Sequence, residues 1–301
     1  MVTINKKGTM TFVPKVLPRH KDEYVKRMLV FNEHYIGEWN HEDKRSLITI
    51  LNNFTFMDHS TLRILSVGPA NGFIDIPIID ALSSRVQYVH YIVVEPNEQE
   101  IERFKNSVTS KQEDGHFYNV TFDVHALTIS EFIRESRENM NQQTFDIIHC
   151  LHCAYYFADV GQVYVDLYEF VNEGGFIITS LNSGSWEDIQ KELGTYYSNP
   201  YLVQFCYGSK HLQEILRRRF PDVKVKVIPR YNYADVAECF KEDSKVGNFI
   251  LDFLLQILDA RKNIPKDIFS KVMSFFENRC YKGVDGKFRF ECNDEDIIIF
   301  K

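Results

Sequence analysis

Apolar and polar positions alternate regularly through the central part of the chain. Short apolar runs typical of buried strands lie at 63–67, 90–95, 120–125, 145–151 and 175–181. Helical patterns fill the intervals between them, at 73–83, 97–108, 128–138 and 159–172. Strands that alternate with helices predict a parallel sheet with helices on both faces and right-handed crossovers. The sequence therefore predicts an α/β fold, in which ligands bind outside the carboxyl ends of the strands.

The N-terminal segment has a different pattern. Residues 1–20 are polar and interrupted by prolines, which predicts a loose lead-in. Between about 20 and 53 the pattern becomes helical, since Tyr24, Met28 and Phe31 recur at spacings of three and four. Two interpretations stay open: a helix packed on the domain, or a lid whose aromatic face covers a substrate.

Beyond residue 182 the pattern predicts further helices and the strands that complete the sheet. Helices are predicted at 186–197, 209–219, 246–260 and 266–279. The stretch 222–228 alternates valine and lysine, which indicates a strand near a sheet edge, and 296–300 is predicted as the last strand. The predicted parts are an N-terminal helical lid segment at 1–60, the core at 61–182, and a substrate lobe with the sheet-completing C-terminal strands at 183–301.

A strand, a glycine turn and the start of a helix follow one another between residues 63 and 75. Gly68 and Gly72 lie four apart, with Pro69 and Ala70 between them. Such a unit places backbone N–H groups and the positive end of a helix beside a small-molecule site. The next predicted strand ends in Glu95, at the separation expected of a ribose-binding carboxylate in nucleotide folds.

The glycine spacing discriminates between cofactors that carry a ribose. NAD and S-adenosylmethionine both have a ribose diol, so Glu95 alone does not separate them. The spacing of Gly68 and Gly72 departs from the G-x-G-x-x-G fingerprint of pyrophosphate binding, and the sequence has no Gly-Lys-Ser/Thr phosphate loop. A cofactor with a ribose and no pyrophosphate fits best, which predicts S-adenosylmethionine and disfavours an NAD-dependent dehydrogenase.

Composition narrows the expected partners. The chain has 301 residues, of which 44% are hydrophobic and 26% charged, and its net charge is −7. This charge argues against nucleic acid or an anionic membrane as a partner, and no apolar run approaches the roughly 20 residues of a membrane span. Scattered cysteines predict reduced thiols in a cytoplasmic protein, and no metal or redox role is expected for the C-x-x-C of Cys150 and Cys153. We expect a monomer that acts on a small molecule.

Candidate chemistry lies where the fourth predicted strand ends. His149 is interpreted as a buried structural histidine. His152, just past the strand end, can face the cofactor and take a proton from an ammonium group, with a structural role as an equal alternative. Tyr155 and Tyr156 belong to an aromatic set that suits a cation through its ring faces. The other members of that set are Tyr24, Phe31, Trp186, Tyr197 and Phe205.

These residues carry a resemblance to a known family. The chain resembles the histamine N-methyltransferases in segments spread over most of its length. The segments are 24–25, 64–68 with Gly72 and 74–75, 93–96 with Ile101, 145–149 with Tyr155 and Tyr156, 183–186, 252–253, and 286–287 with the closing strand. The resemblance implies a Rossmann-like class I methyltransferase sheet with helices on both faces, together with a smaller helical substrate lobe.

Particular contacts follow from the turn, the strand ends and the resemblance. The predicted cofactor contacts are Gly68, Pro69, Gly72, Glu95, Asn97, Thr128, Ile129 and Leu151. The predicted substrate contacts are Tyr24, Met28, Phe31, Tyr155, Tyr156, Trp186, Tyr197, Phe205, Phe253, Cys292 and Asn293.

The polar substrate contacts of the family are changed in this chain. The family's glutamate on the N-terminal helix falls one residue before Glu38. Its glutamine is replaced by His152, and its asparagine falls at Cys292, with Asn293 adjacent. A second tryptophan of the family's lobe is Gln190 here.

The expected function is an S-adenosylmethionine-dependent N-methyltransferase acting on a small aromatic or imidazole amine. His152 and Glu38 are the candidate catalytic residues that would accept the amine's proton. The alternative is a binding protein of the same fold that keeps the cofactor and has lost catalysis. Histamine is expected to be a poor substrate, because discrimination between ligands of similar size depends on buried polar partners.

Overall fold

The structure is a computed structural model that describes residues 2–4, 10–36, 60–138, 143–198 and 207–301. In chain order, the strands are β1 Val2–Ile4, β2 Met10–Phe12, β3 Tyr35–Ile36, β4 Thr61–Val67, β5 Tyr88–Val94, β6 Val120–His125, β7 Phe145–Leu151, β8 Val171–Asn182, β9 Val225–Arg230, β10 Tyr233–Asp235, β11 Cys280–Lys282, β12 Phe288–Glu291 and β13 Asp294–Phe300. The helices are α1 Lys21–His34, α2 Asp75–Ser83, α3 Glu98–Glu113, α4 Ile129–Glu138, α5 Val160–Glu169, α6 Gly184–Gly194, α7 Ser209–Arg219, α8 Lys245–Leu255, α9 Ala260–Asn263 and α10 Lys266–Glu277.

The chain divides into two compact units. The first unit comprises Met1–Trp39, Asn182–Leu212 and Pro229–Glu295. The second unit comprises Asn40–Leu181, Gln213–Ile228 and Asp296–Lys301. The three-part division predicted from the sequence stays a prediction.

A seven-stranded sheet forms the centre of the second unit, in the order β6-β5-β4-β7-β8-β13-β9. The pairs β4–β5, β5–β6, β4–β7 and β7–β8 are parallel. β7 is buried along its whole length, as expected for a strand covered on both faces. The α/β fold is therefore confirmed.

The hydrophobic core of the second unit lies between this sheet and its helices. Ile64 of β4, Tyr91 of β5 and Ile147 of β7 are at most 1% exposed and pack with Ile79 of α2 and Phe104 of α3. The helices bury these apolar stripes because their polar residues face away from the sheet. The prediction of a strand near the edge is confirmed, because β9 is the terminal strand of the sheet and Lys224 and Lys226 are exposed.

The first unit contains a small antiparallel sheet that the sequence analysis did not predict. Its order is β11-β12-β10-β3, and a separate pair is formed by β1 and β2. Each strand has only two to four residues. Runs this short give no readable alternation, so the helical patterns of α8 and α10 dominated the prediction.

Two expectations about the N-terminal segment were wrong. The lead-in is not loose, because Phe12 and Leu17 are almost fully buried and the Phe12 N–H donates to the Tyr196 carbonyl at 2.9 Å. The predicted helix ends at His34, where Tyr35 becomes extended and β3 pairs with β10. The rest of that predicted helix lies outside the described residues from position 37 onward.

A buried ion pair fixes α1 against α8. The Arg27 Nε donates to Asp252 Oδ2 at 2.6 Å, and both side chains are at most 3% exposed. The guanidinium also pairs with Glu23 and Asp259. Asp252 accepts the N–H groups of Asp259 and Ala260 at 3.0 and 2.7 Å, so its charge is well compensated. In the ranges that the structure describes, no helix is long and apolar enough to cross a membrane.

Candidate active site

The glycine turn, residues 68–72, links the end of β4 to α2. Gly68, Ala70 and Gly72 all have left-handed backbone conformations, with φ of 64°, 51° and 78°. A Cβ at Gly68 would lie 2.7 Å from the Cβ of Cys153, and one at Gly72 would lie 2.5 Å from the Phe104 ring. Both positions therefore require glycine, while Ala70 carries a conformational cost on the order of 1 kcal/mol.

Glu95 holds this turn from the end of β5. Its side chain is 8% exposed, its Oε2 accepts the Ala70 N–H at 3.1 Å, and its Oε1 accepts the Asn97 N–H at 2.9 Å. Each carboxylate oxygen has more than one acceptor position. The carboxylate can therefore bind two backbone N–H groups and still accept the hydroxyls of a ribose diol. This geometry fits the ribose of S-adenosylmethionine.

The other predicted cofactor residues lie at neighbouring strand ends of the same sheet. Asn97 caps α3 by accepting the Gln99 N–H at 3.2 Å. Thr128 begins α4 in a capping box with Glu131, whose carboxylate accepts both the N–H and the hydroxyl of Thr128. Ile129 and Leu151 are buried, at 6% and 8% exposure. Pro69 is half-buried in the turn. These residues follow β4, β5, β6 and β7, where a parallel sheet places its ligands.

His152 occupies a strained position after β7. It has a φ of 53°, which is uncommon for a residue other than glycine, and its N–H donates to the Ser180 carbonyl at 3.0 Å. Its Nδ1 lies 3.4 Å from the hydroxyl of Tyr155. Tyr155 is half-buried, Tyr156 is 46% exposed, and their rings meet edge to face at 6.2 Å. Strain of this kind is concentrated at functional sites, although it does not assign a role.

A buried polar cluster lies beneath the glycine turn, and we refer to Ser66, Asp75, Tyr91 and His149 as the Asp75 cluster. Asp75 Oδ1 accepts the hydroxyls of Ser66 at 2.5 Å and Tyr91 at 2.7 Å. The Tyr91 hydroxyl also lies 2.7 Å from His149 Nε2. All of them are at most 2% exposed. The interpretation of His149 as a buried structural histidine is confirmed.

Burial sets the protonation states within this cluster. It lowers the pKa of His149, although Asp75 acts in the opposite direction, and it raises the pKa of Tyr91 well above the usual value. The sequence analysis predicted neither Ser66 nor Asp75 nor Tyr91 as a site residue. A signal was available, because three polar side chains interrupt the apolar runs of β4, β5 and β7.

The first unit gathers four predicted substrate residues into what we term the aromatic cluster: Tyr24, Phe31, Trp186 and Phe253. The Phe253 ring lies 4.8 Å from Phe31, 5.6 Å from Tyr24 and 5.9 Å from Trp186. Phe31 is fully buried and Phe253 is 4% exposed, while Tyr24 and Trp186 are half-buried. Phe31 and Phe253 are therefore interior rings of the cluster, whereas Tyr24 and Trp186 keep solvent-accessible surface.

Hydrogen bonds orient the helix that carries Trp186. The Trp186 Nε1 donates to the Leu254 carbonyl at 3.0 Å, and Gln190 Nε2 donates to the same oxygen at 3.2 Å. This carbonyl lies in the last turn of α8, where backbone acceptors lack a partner within the helix. Gln190 also accepts from the Asn182 amide at 3.0 Å. Met28 of α1 packs against the same core.

Cys292 and Asn293 differ in what their side chains can offer. Cys292 is fully buried, and burial raises the pKa of its thiol well above the usual value. Asn293 is half-buried; its Oδ1 accepts the Asn232 N–H at 3.0 Å, and its carbonyl accepts the Ser183 N–H at 2.7 Å. A substrate contact by Asn293 is therefore limited to its remaining amide capacity, which lies near Gly184.

Tyr197 packs against the core of the first unit and has a further aromatic partner. The Tyr197 ring contacts Phe12 edge to face at 5.8 Å. Glu38 and Phe205 lie outside the described residues. Tyr155 and Tyr156 belong to the second unit.

The fold and the glycine turn together define a class of protein, the class I methyltransferases with a Rossmann-like sheet. A family model described as a methyltransferase domain matches residues 39–220, and the chain belongs to this family. The YcgJ protein from Bacillus subtilis has the same fold, with a TM-score of 0.50, 15% identity, and coverage of 87% of this chain and 99% of that one.

Curated relatives agree with the family. The histamine N-methyltransferase of Xenopus tropicalis is 26% identical over 80% of this chain and 82% of its own length. The carnosine N-methyltransferase 2 of Gallus gallus is 25% identical over 95% of this chain and 89% of its own length. The resemblance to the histamine N-methyltransferases is thereby confirmed. The predictions of a methyltransferase and of S-adenosylmethionine as its cofactor are also confirmed.

Proposed function

We propose that the chain transfers the methyl group of S-adenosylmethionine to a nitrogen of a small aromatic or imidazole amine. The observation that carries this proposal is the aromatic cluster, in which α1, α6 and α8 each contribute rings to one set of contacts. Aromatic faces suit flat rings and cations. The relatives' names, which refer to histamine and carnosine, agree with an imidazole-bearing substrate.

Methyl transfer to an amine needs a free lone pair on the nitrogen. When bound, S-adenosylmethionine supplies an electrophilic methyl group on its sulfonium. An ammonium substrate must lose a proton before or during the reaction, since its nitrogen has no lone pair. His152 remains our candidate for the proton acceptor, because a neutral imidazole can accept a proton near neutral pH. Glu38 remains the second candidate.

Changed polar contacts distinguish the proposed substrate preference from that of the family. His152 stands where the family has glutamine, and a neutral histidine offers one donor and one acceptor on opposite sides of a rigid ring. Cys292 is a weak hydrogen-bond partner where the family has an amide. Since an unpaired buried polar group costs more than a lost methylene, selection by shape should persist while selection by hydrogen bonding changes.

A panel of amines tests the proposal. We would measure kcat/KM for histamine, carnosine and phenylethylamine with S-adenosylmethionine, detecting the product by its mass shift of one methyl group. We expect methylation of at least one of these amines, with histamine a poor substrate. Binding of S-adenosylmethionine without methylation of any of a broad set of amines would favour the alternative, a binding protein that has lost catalysis.

Four further expectations remain part of this proposal. A small-molecule substrate fits the family, and the negative charge disfavours nucleic acid and anionic membranes as partners. We propose a cytoplasmic enzyme, in keeping with the free thiols of the five described cysteines. We also propose that it is a monomer, which light scattering on the purified protein would test.

A further inference from the structure

We propose that Asp75 is a positioning residue for the cofactor, acting through the Asp75 cluster to set the geometry of the glycine turn. The proposal rests on S-adenosylmethionine as the cofactor of the proposed function, and it does not depend on which amine is methylated. It concerns side chains that do not themselves contact the cofactor.

The Ser66–Asp75 hydrogen bond closes the loop that contains the glycine turn. Ser66 is the penultimate residue of β4 and Asp75 is the first residue of α2, so their 2.5 Å contact joins the two ends of the loop. Higher in the loop, the Gly68 N–H donates to the Val94 carbonyl at 2.9 Å and the Ala70 N–H donates to Glu95. The loop is therefore fixed at its base by a buried carboxylate and at its tip by the carboxylate that is suited to the ribose.

Tyr91 and His149 connect this closure to the neighbouring strands. A tyrosine hydroxyl has one proton, and Tyr91 donates it to Asp75. At the 2.7 Å contact between Tyr91 and His149, the donor is therefore the histidine Nε2–H. The hydrogen bonds therefore run from His149 of β7 through Tyr91 of β5 to Asp75 at the start of α2. They set the position of α2 relative to three adjacent strands of the sheet.

The position of the cluster argues for a role beyond stability. Ser66 directly precedes the last residue of β4. In the glycine turn that follows, residues 68, 70 and 72 all have left-handed backbone conformations. Gly72 has little room to move, because a Cβ at this position would lie 2.5 Å from the Phe104 ring. Displacement of the glycine turn would also move the Ala70 N–H away from the Glu95 carboxylate. We therefore expect loss of the cluster to weaken cofactor binding.

Asp146 provides a matched control at the other end of the sheet. It is 7% exposed near the start of β7, and its carboxylate accepts the Arg63 N–H at 2.8 Å and the Asn172 amide at 2.7 Å. Asp75→Ala and Asp146→Ala each remove one buried carboxylate that accepts two hydrogen bonds in the second unit. Only the first lies under the glycine turn. Both variants would be measured in the full chain by calorimetry with S-adenosylmethionine and by thermal unfolding.

We expect Asp75→Ala to raise the Kd for S-adenosylmethionine at least about tenfold, and Asp146→Ala to change it less than twofold, while both lower the Tm. Tyr91→Phe preserves the ring and removes the hydroxyl, so it should raise the Kd about threefold or more. If Asp75→Ala does not fold, the Kd values of Tyr91→Phe and Ser66→Ala test the inference.

Three results would overturn the inference: an unchanged Kd in the folded Asp75 cluster variants, an equal rise in Asp146→Ala, or a rise in Kd that follows the loss of Tm in every variant. Failure of the wild-type protein to bind S-adenosylmethionine would instead count against the proposed function. Absence of amine methylation with normal cofactor binding would leave the comparison of the two aspartates intact.

Discussion

The glycine turn and the aromatic cluster are built by different means. The turn comes from one short stretch of sequence and offers mainly backbone N–H groups, held in place by Glu95 and the Asp75 cluster. The aromatic cluster comes from three helices far apart in the sequence and offers only side chains. The Arg27–Asp252 pair joins two of those helices, α1 and α8.

This difference indicates how each region can change. Backbone groups stay in place when side chains are replaced, so a cofactor site of the kind proposed for the glycine turn depends mainly on its glycines and on the carboxylates that hold it. A site made of side chains changes its preference with each replacement. The substitution of an amide by His152 and of an asparagine by Cys292 can therefore alter the substrate without altering the cofactor.

The largest effect is expected from Arg27→Met. Removing one partner of a buried ion pair leaves the Asp252 carboxylate without its charge partner, and such changes cost roughly 3–5 kcal/mol of unfolding free energy. Urea unfolding would measure the loss. The Kd for S-adenosylmethionine should stay within twofold, because the pair belongs to the first unit. The double variant Arg27→Met with Asp252→Asn should recover part of the stability, because it removes the unpaired charge while the amide oxygen still accepts one of the N–H groups of Asp259 and Ala260. A loss below about 1 kcal/mol would mean that the pair is not buried as described.

Glu95→Ala comes next, because it affects the ribose contact and the turn together. Charge-assisted hydrogen bonds contribute roughly 1.5–3 kcal/mol each, so the Kd for S-adenosylmethionine should rise at least about tenfold. Calorimetry measures it. Glu98→Ala removes an exposed carboxylate from the first turn of the adjacent α3 and serves as the control, with an expected change below twofold. An unchanged Kd in Glu95→Ala would place the ribose elsewhere.

Trp186→Phe should change the substrate region alone. The variant keeps an aromatic ring but loses the hydrogen bond to the Leu254 carbonyl, and a neutral hydrogen bond contributes about 0.5–1.5 kcal/mol. We expect the KM for the preferred amine to rise several-fold, with the Kd for S-adenosylmethionine unchanged. Tyr196→Phe, which removes a hydroxyl bonded to Glu192, is the control. Equal effects of both variants on the amine KM would contradict a specific role for Trp186.

The smallest effect concerns Glu187 of α6, a fully buried carboxylate of the first unit that accepts the Lys210 N–H at 3.3 Å. Burial raises the pKa of Glu187 in the folded protein. Its contribution to stability is therefore fully present below the ordinary glutamate pKa and is lost as the pH rises through the raised value. Glu187→Gln removes this titration, so the variant should gain stability relative to the wild type as the pH rises above the ordinary glutamate pKa. Urea unfolding across that pH range would show the gain, and a constant difference at all pH values would exclude the explanation.

The sequence predicted the second unit better than the first for a physical reason. Buried parallel strands are continuous apolar runs, so the bounds of β6 and β7 agree with the prediction at both ends. The glycine turn is also local, because its glycines lie close together in the sequence and can be recognised there. In contrast, β3, β10, β11 and β12 are too short for a pattern, and the pairing of β10 with β3 and with β12 joins residues far apart in the chain.

Side-chain partnerships were the least predictable part of the site. Most of the aromatic set comes from the sequence itself, with Phe253 added by the resemblance, but its contacts depend on how three helices pack. Nothing in the local sequence indicates that Arg27 meets Asp252, because these residues become neighbours only after folding. The Asp75 cluster had a local signal in its polar residues within apolar strands, but its hydrogen bonds required the sheet register that joins β4, β5 and β7.

The position of β13 in the sheet has a consequence for the order of folding. β13 lies between β8 and β9, although both of those strands precede it in the sequence. The edge strand β9 therefore has no neighbour in the sheet until β13 is inserted, and β8 presents an open edge to other chains during that interval. Pairings between strands so distant in sequence form slowly. We infer that insertion of β13 is a late event in folding, and that a chain arrested before it is at its greatest risk of aggregation.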